Sequence, residues 1–252
     1  MKKRQIVWIV GASSGIGREL TLQYADQGST VYASARGVEK LQQLVNDTRN
    51  AAGTVVAAPL DVQNNDSIEQ FVASRVQQGD IPDLCIFNAG YYDAIGIEDL
   101  TLENFERTVD VNYMGVVRCL MAILPHYRKQ RAGHLAIVSS VAGYAGLPRA
   151  AAYGSTKAAL INLCESMYAE CRRDGINMSV INPGFVRTPM TEKNTFDMPF
   201  IIEPDAAATH IVKGLSENRF EIHFPKRFTL IMKLFGILPY RLYFFLTSRL
   251  LK

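Results

Sequence analysis

Two short stretches of the chain carry residues whose types and spacing suit chemistry. In Tyr153-Gly154-Ser155-Thr156-Lys157 the tyrosine and lysine are four apart, so on a helix they share one face, one turn from each other. A phenol with an ordinary pKa near 10 is a poor acid–base group at neutral pH. An ammonium one turn away favours the phenolate and draws that pKa down. Ser140 lies thirteen residues upstream, just past an apolar run, where the end of a strand faces a ligand. The second stretch, Gly11-Ala12-Ser13-Ser14-Gly15-Ile16-Gly17, separates the apolar run Ile6–Val10 from a helical pattern. A glycine-rich turn there lets backbone N–H groups approach a pyrophosphate at a helix N-terminus. The same residues fit G-x-S-x-G, the turn that presents a hydrolase nucleophile, with Ser13 as that nucleophile. A hydrolase needs an earlier strand and loop to supply its oxyanion donors. Only ten residues precede Gly11, too few to provide them.

The elements that must position these residues alternate. Apolar, β-branched runs predict strands at Ile6–Val10, Thr30–Ser34, Thr54–Ala57, Leu84–Phe87, Leu135–Val138, Ile176–Ile181 and Phe220–Phe224. Helical patterns lie between them: Gly17 to about Gln27, Val38–Asn50, a helix capped by Asp66 or Ser67 and running to Gln78, and Ala151–Arg173. A further helix starts at Pro204 and runs to Ser216. One long helix is predicted from a Thr101 cap to Gln130, with a break near Pro125. Strand–helix alternation of this kind implies an α/β fold, a Rossmann-type doubly wound parallel sheet of about seven strands with helices on both faces. Right-handed crossovers then put the ligand at the carboxyl ends of the strands. Residues 1–225 read as a single domain and 226–252 as an extension of it.

Composition bounds the function. The chain has 252 residues, 48% hydrophobic and 20% charged, which excludes a disordered or collagen-like protein. A net charge of +3 is too weak to imply a nucleic-acid partner. It is also unevenly spread. Lys226, Arg227, Lys233, Arg241, Arg249 and Lys252 give the last 27 residues +6 with no acid, which leaves residues 1–225 at −3. Cys85, Cys119, Cys164 and Cys171 form no C-x-x-C pair and no metal-ligand spacing, so they read as reduced, buried thiols of a cytoplasmic protein with no metal site. His126, His134, His210 and His223 show no partner pattern and receive no role. Met1-Lys2-Lys3-Arg4 opens like a signal peptide, but the apolar run after it has five residues and enters the glycine turn, so it reads as a strand. No apolar run is long enough to span a bilayer.

Taken together, these features resemble the short-chain dehydrogenase/reductase family over residues 5 to about 224. The stretches that carry the resemblance are Gly11–Gly17, Asp61-Val62, Asn88-Ala89-Gly90, Asn112 within Val-Asn-Tyr-Met-Gly, Ser139-Ser140, Tyr153–Lys157 and Asn182–Thr188, in order and at the family's spacing. The resemblance implies an oxidoreductase that moves a hydride between a nicotinamide and a carbonyl or alcohol. Tyr153 is then the proton donor in reduction and the base in oxidation. Lys157 lowers its pKa and binds the nicotinamide ribose, Ser140 polarises the substrate oxygen, and Asn112 holds a water that links Lys157 to solvent. Gly11, Ser13, Ser14, Gly15, Ile16 and Gly17 cradle the pyrophosphate, while Asp61 and Val62 contact adenine. Asn88, Ala89 and Gly90 line the adenosine ribose. Pro183, Gly184, Val186 and Thr188 fix the nicotinamide. Three departures stand out: Val10 replaces the family's threonine, Phe87 replaces the first asparagine of Asn-Asn-Ala-Gly, and the chain ends in a basic apolar tail rather than the Val-Asp-Gly-Gly-like stretch of the family's tetramer interface. The long helices from Thr101 and Ala151 imply a homodimer by the same analogy.

An acid at the end of the second strand would hold the ribose 2′-hydroxyl of NAD(H) and repel a 2′-phosphate. Here that place reads Ala33-Ser34-Ala35-Arg36, and no acid appears before Glu39. The guanidinium fork suits a phosphate, so the expectation is NADP(H) rather than NAD(H), with Arg36 the main determinant and Ser13 or Ser34 as helpers.

Past Arg187, the residues Met190, Phe196, Met198, Phe200 and Ile201 fit two readings: a lid over a lipophilic substrate, or packing of that segment onto the domain. Tyr91, Tyr92 and Tyr144 are further candidates for the cleft wall. Residues 226–252 set basic residues among Leu, Phe and Tyr, with Pro239 dividing two short helices. They fit docking on the domain or a dimer partner, peripheral contact with a membrane, or a loose tail. The reading as a whole is an NADPH-dependent reductase of a small lipophilic carbonyl. The alternative is a cofactor-binding sensor or scaffold whose tail recruits it to a membrane or partner.

Overall fold

A computed structural model describes residues 4–194 and 196–251. Met1, Lys2 and Lys3 of the basic start, Thr195 of the lid and Lys252 of the tail lie outside them. Seven strands form one parallel sheet: β1 (Ile6–Val10), β2 (Thr30–Ser34), β3 (Thr54–Ala57), β4 (Leu84–Phe87), β5 (His134–Val138), β6 (Asn177–Pro183) and β7 (Glu221–Phe224). Their spatial order is β3-β2-β1-β4-β5-β6-β7. The chain winds outward one way from β1 to β3 and the other way from β4 to β7, so the order reverses between β1 and β4. A crevice opens at such a reversal, beyond the carboxyl ends of the strands.

Strand periodicity sorts the core into two layers. Val7 and Ile9 of β1, with Val31 and Ala33 of β2, face α1 (Gly15–Asp26), α2 (Val38–Asp47) and α7 (Pro204–Ser216). Trp8 and Val10 face the other way, toward α3 (Asn65–Gln78), α5 (Gly115–Gln130) and α6 (Ala151–Arg173). Trp8 is fully buried, with its ring centroid 4.7 Å from that of Phe71. Burial on both faces contributes about 1.5–3 kcal/mol for each such large side chain, which fixes β1 as the centre of the fold. All four cysteines are free and buried. Burial pushes the Cys85 and Cys164 thiols up to about 12, so neither is a reactive thiolate at neutral pH.

Three local expectations are corrected. Asn64, not Asp66 or Ser67, caps α3, its side chain accepting from the Ser67 N–H. The long helix does not break at Pro125, which sits inside α5. The carbonyl that Pro125 leaves without a donor is that of Met121, on an exposed face where water can reach it. The interruption comes earlier. A helix capped by Thr101, α4 (Leu102–Val109), passes through one π-helical turn, Asp110–Met114, into α5. Beyond β7 the tail forms α8 (Lys226–Ile237) and α9 (Tyr240–Thr247), divided at Pro239 as expected.

Candidate active site

The crevice is a cavity of about 500 Å³. Gly11, Ser13, Ser14, Gly15 and Ile16 form its floor between β1 and α1. Gly11 has φ +88°, and a Cβ there would lie 2.6 Å from the Ala89 nitrogen, so only glycine permits this close approach of two loops. The Asn88 side chain donates to the Gly11 carbonyl at 3.0 Å and ties the loop after β4 to the glycine turn. Gly17 lies behind the turn: a Cβ on it would stand 2.1 Å from the Gly11 oxygen. Its work is to let α1 press against the loop.

Asp61, Val62, Asn88, Ala89, Gly90, Pro183, Gly184, Val186 and Thr188 also line the cavity. The Asp61 carboxylate accepts from the Gln63 N–H at 3.0 Å and fixes the turn after β3. Arg36 is exposed at the cavity's edge, just past β2. Among the described residues its guanidinium has no hydrogen-bond or ion-pair partner. Lys40 lines the same edge from the first turn of α2, a residue the sequence reading missed. The available signal was a second cation, four residues after Arg36, in the first turn of the helix that follows β2. Ser13 lines the cavity, but Ser34 does not. Ser34 is fully buried and its hydroxyl accepts the Trp8 indole N–H at 2.9 Å, which removes it as a helper.

Ser140, Tyr153 and Lys157 converge beyond β5. From β2 to β5 is three strand spacings, roughly 14 Å, a span suited to an extended dinucleotide. Ser139 and Ser140 divide their roles. The Ser139 hydroxyl donates to the Lys157 carbonyl at 2.7 Å and is buried, so it anchors α6. Ser140 hydrogen-bonds toward the Tyr153 phenol and accepts from the Ala142 N–H at 3.1 Å. Burial pushes the Tyr153 phenol up to about 12, against the downward pull of Ser140. The Lys157 ammonium donates to the Val138 carbonyl at 2.9 Å and stands 5.4 Å from the Tyr153 ring centroid. Burial lowers its pKa to about 8. The Tyr92 ring packs edge-on against Tyr153, 4.8 Å between centroids.

Asn112 is fully buried in the π-helical turn. Its amide oxygen accepts from the Tyr91 N–H at 2.6 Å and its amide nitrogen donates to the Tyr91 carbonyl at 2.9 Å. A Cβ on Gly90 would lie 3.6 Å from Asn112 Oδ1 and 3.9 Å from Lys157 Nζ, so both polar ends flank one point. The extra residue of the π turn aims Asn112 inward, a local feature with no signal in hydrophobic periodicity.

Among its described residues the lid from Arg187 to Glu203 has no helix, and the bridge from Val186 to Ile202 helps tie it down. Met190 lines the cavity. Phe196 packs on Phe185, and Phe200 stacks on Phe228 of α8. The lid's apolar residues therefore divide between the two expected uses. Tyr91 donates to Asp93 and Tyr144 to Glu221, so both hydroxyls are already engaged.

Relatives agree with this geometry. A family model described as short chain dehydrogenase matches residues 5–198. An uncharacterized oxidoreductase of Myxococcus xanthus is 35% identical over 232 residues, covering 92% of this chain and 91% of its own. A short-chain dehydrogenase from Sphingobium yanoikuyae in complex with NADPH superposes with a TM-score of 0.79 at 25% identity, over 87% of each chain. An alcohol dehydrogenase from Thermococcus sibiricus complexed with 5-hydroxy-NADP gives 0.79 at 25% identity, over 88% of this chain and 96% of its own. Sheet order, cleft and relatives converge: the chain belongs to the short-chain dehydrogenase/reductase family and is an NAD(P)-dependent oxidoreductase that acts on small molecules.

Proposed function

We propose that the protein is an NADPH-dependent reductase of a carbonyl on a hydrophobic substrate, with Tyr153 as the proton donor. The observation that carries this reading is one cleft with Arg36 and Lys40 at one edge and Ser140, Tyr153 and Lys157 at the other. Two cations beside the end of β2, with no acid among the lining residues Ala35, Arg36, Gly37 and Lys40, suit a 2′-phosphate, whereas a bare 2′-hydroxyl would find there no carboxylate to accept from it. Gly11, Ser13, Ser14, Gly15 and Ile16 would hold the pyrophosphate, with Gly17 setting the turn. Asp61 and Val62 would hold the adenine and Asn88, Ala89 and Gly90 its ribose. Pro183, Gly184, Val186 and Thr188 would hold the nicotinamide. When bound, the cofactor supplies the hydride.

The chain's own residues handle the proton. Burial keeps the Tyr153 phenol protonated at pH 7, the state that donates, but at about 12 it is a weaker acid than a free phenol, so the transfer relies on Ser140 and Lys157 to stabilise the phenolate. Ser140 holds the carbonyl oxygen against the phenol. Lys157, with its pKa near 8, is cationic at pH 7 and stabilises the phenolate left after transfer. Asn112 holds a water through which Tyr153 and Lys157 recover a proton. Met190 and the lid give the substrate an apolar wall. The protein works as one domain, 1–225, with its 226–252 extension. It is a cytoplasmic homodimer that meets membranes peripherally.

A fluorescence titration with NADPH and NADH, followed by turnover on a panel of aldehydes and ketones, tests this reading. Wild type should prefer NADPH and Arg36→Ala should lose that preference; a wild type that prefers NADH would overturn the cofactor assignment. Tyr153→Phe should lose about 10²–10⁴-fold in turnover with NADPH binding intact. Full turnover by that variant would remove Tyr153 as the acid, while a biological role that survives the loss of turnover would favour the scaffold reading.

A further inference from the structure

The two tail helices have opposite faces. Phe228, Thr229, Met232, Tyr243 and Thr247 are buried against the body. The other side exposes Leu230, Leu234, Ile237, Tyr240, Phe244 and Phe245, with Ile237 at 78% and Tyr240 at 77% of full exposure. A folded chain gains nothing from a contiguous apolar surface of this kind unless something covers it. Lys226, Arg227, Arg241 and Arg249 are exposed beside it. Among the described residues none of these four forms an ion pair, although the Glu221 charge acts on Lys226, and residues 226–252 contain no Asp or Glu. The Arg249 guanidinium lies over the Phe245 ring at 4.2 Å, so cation and apolar surface share one face.

We propose that this face seats the protein on an anionic lipid bilayer, with the substrate mouth of the cleft opening at that surface. Large apolar side chains interleaved with Lys and Arg are the pattern of helices that lie in a membrane interface. No helix among the described residues is long and apolar enough to cross a membrane, so the face lies on the bilayer. A second copy fits less well. A two-fold contact would set the same face against itself, four cations opposite four cations with no acid to pair them. An anionic headgroup layer complements those charges, and each basic residue near it strengthens binding.

The position of the mouth follows from what the tail touches. After β5, the Tyr243 hydroxyl donates to the Gly146 carbonyl. After β6, Phe185 and Phe200 stack on Phe228 at 5.4 and 6.1 Å between centroids. Both lips of the substrate side therefore rest on the tail. Phe196 and Phe200, at 41% and 48% exposure, carry the apolar surface from the tail up to the lid. The proposal rests on the reductase reading only for calling this opening the substrate's.

The test is sedimentation of the full chain with phosphatidylcholine vesicles, with and without phosphatidylglycerol. The expected result is binding to the anionic vesicles only, at least about tenfold weaker for Arg241→Glu/Arg249→Glu. Ile237→Glu/Tyr240→Glu should abolish it. NADPH binding, followed by fluorescence, should be unchanged in both variants, which reports their folding. Equal sedimentation of wild type and Ile237→Glu/Tyr240→Glu would overturn the proposal. So would a dimer in solution that this variant dissolves, since a second copy would then be the occupant. For the mouth, a tryptophan at Phe200→Trp should be quenched by brominated lipid, while one at Val38→Trp, on α2, should not. The reverse pattern would place the mouth away from the bilayer. Loss of the reductase reading would show separately, as absence of NADPH binding in a protein that still sediments.

Discussion

The two ends of the cleft are built by different means. At the cofactor end, backbone meets backbone. The Gly11 turn lies against the Ala89 loop, Asn88 clamps it, and Gly17 leaves no room for a single carbon. Its supports, β1 and β4, are buried on both faces. At the substrate end, side chain meets side chain. The lid rests through Phe200 on Phe228 of the tail, and Phe185, just before the lid, stacks on the same ring in a small satellite core with Val141 and Met232. A site defined by backbone contact accepts no added atom. A site defined by apolar packing accepts exchanges of similar volume at modest cost. Substrate choice can therefore drift at one end while the seat of the cofactor at the other stays fixed.

The largest expected effect breaks the comparison at its softer end. Phe228 is 8% exposed and supports the lid through Phe200 and the loop before it through Phe185. Phe228→Ala should cost about 3–5 kcal/mol in urea unfolding, through lost burial and the cavity left behind. A lid left without its support should also raise KM for a hydrophobic carbonyl far more than Kd for NADPH. A cost below about 1 kcal/mol would mean that tail and lid do not share a core. Gly17→Ala attacks the harder end with the smallest possible change. The added carbon meets the Gly11 oxygen at 2.1 Å, so α1 must move away from the turn. The expected cost is about 1–3 kcal/mol, with NADPH affinity falling while the lid and tail keep their hydrogen-exchange protection. Unchanged NADPH binding in this variant would show that the turn yields and is not held by backbone contact.

The same division explains what could be read before the structure. The cofactor end was legible because its constraints are local. A glycine turn after a strand, a Tyr–Lys pair one helical turn apart and a missing acid after β2 are all properties of short windows. The sheet was legible from alternating β-branched runs. What escaped was either a local backbone device or a registration between distant segments. The long helix is interrupted by the π turn at Asp110–Met114 and not at Pro125, a single turn too short for hydrophobic periodicity to resolve. Ser34 looked like a cofactor helper by position, yet the Trp8 indole, 26 residues earlier, takes its hydroxyl. The tail's two faces share one composition. Its charge and greasiness leave docking, membrane contact and a loose tail open, and the partners of Phe228 and Tyr243 show which side turns inward.

The smallest expected effect concerns the polar tie between tail and sheet. Glu221 on β7 accepts from the Tyr144 hydroxyl at 2.6 Å, from the Asn182 amide at 2.9 Å and from the Lys233 ammonium of α8. Burial alone would raise its carboxyl. The hydrogen bonds from Lys233, Tyr144 and Asn182, with the Lys233 charge, outweigh burial and hold the group below its ordinary 4.5. A carboxyl whose pKa is depressed in the fold stabilises it above the unfolded value, and that contribution is lost as pH falls through the folded one. Lys233 is partly exposed, so solvent screens the pair and the tie contributes on the order of 1 kcal/mol at neutral pH. Glu221→Gln should therefore unfold at slightly lower urea than wild type at pH 7, and the two should converge as the pH falls from 4.5 through the lower pKa of the folded carboxyl. Parallel curves across that range would mean that Phe228 and its neighbours hold the tail without help from charge. The acid side of the stability profile thus separates a tail fixed by packing alone from one that is also pinned beside Asn182, at the end of the strand that leads into the nicotinamide loop.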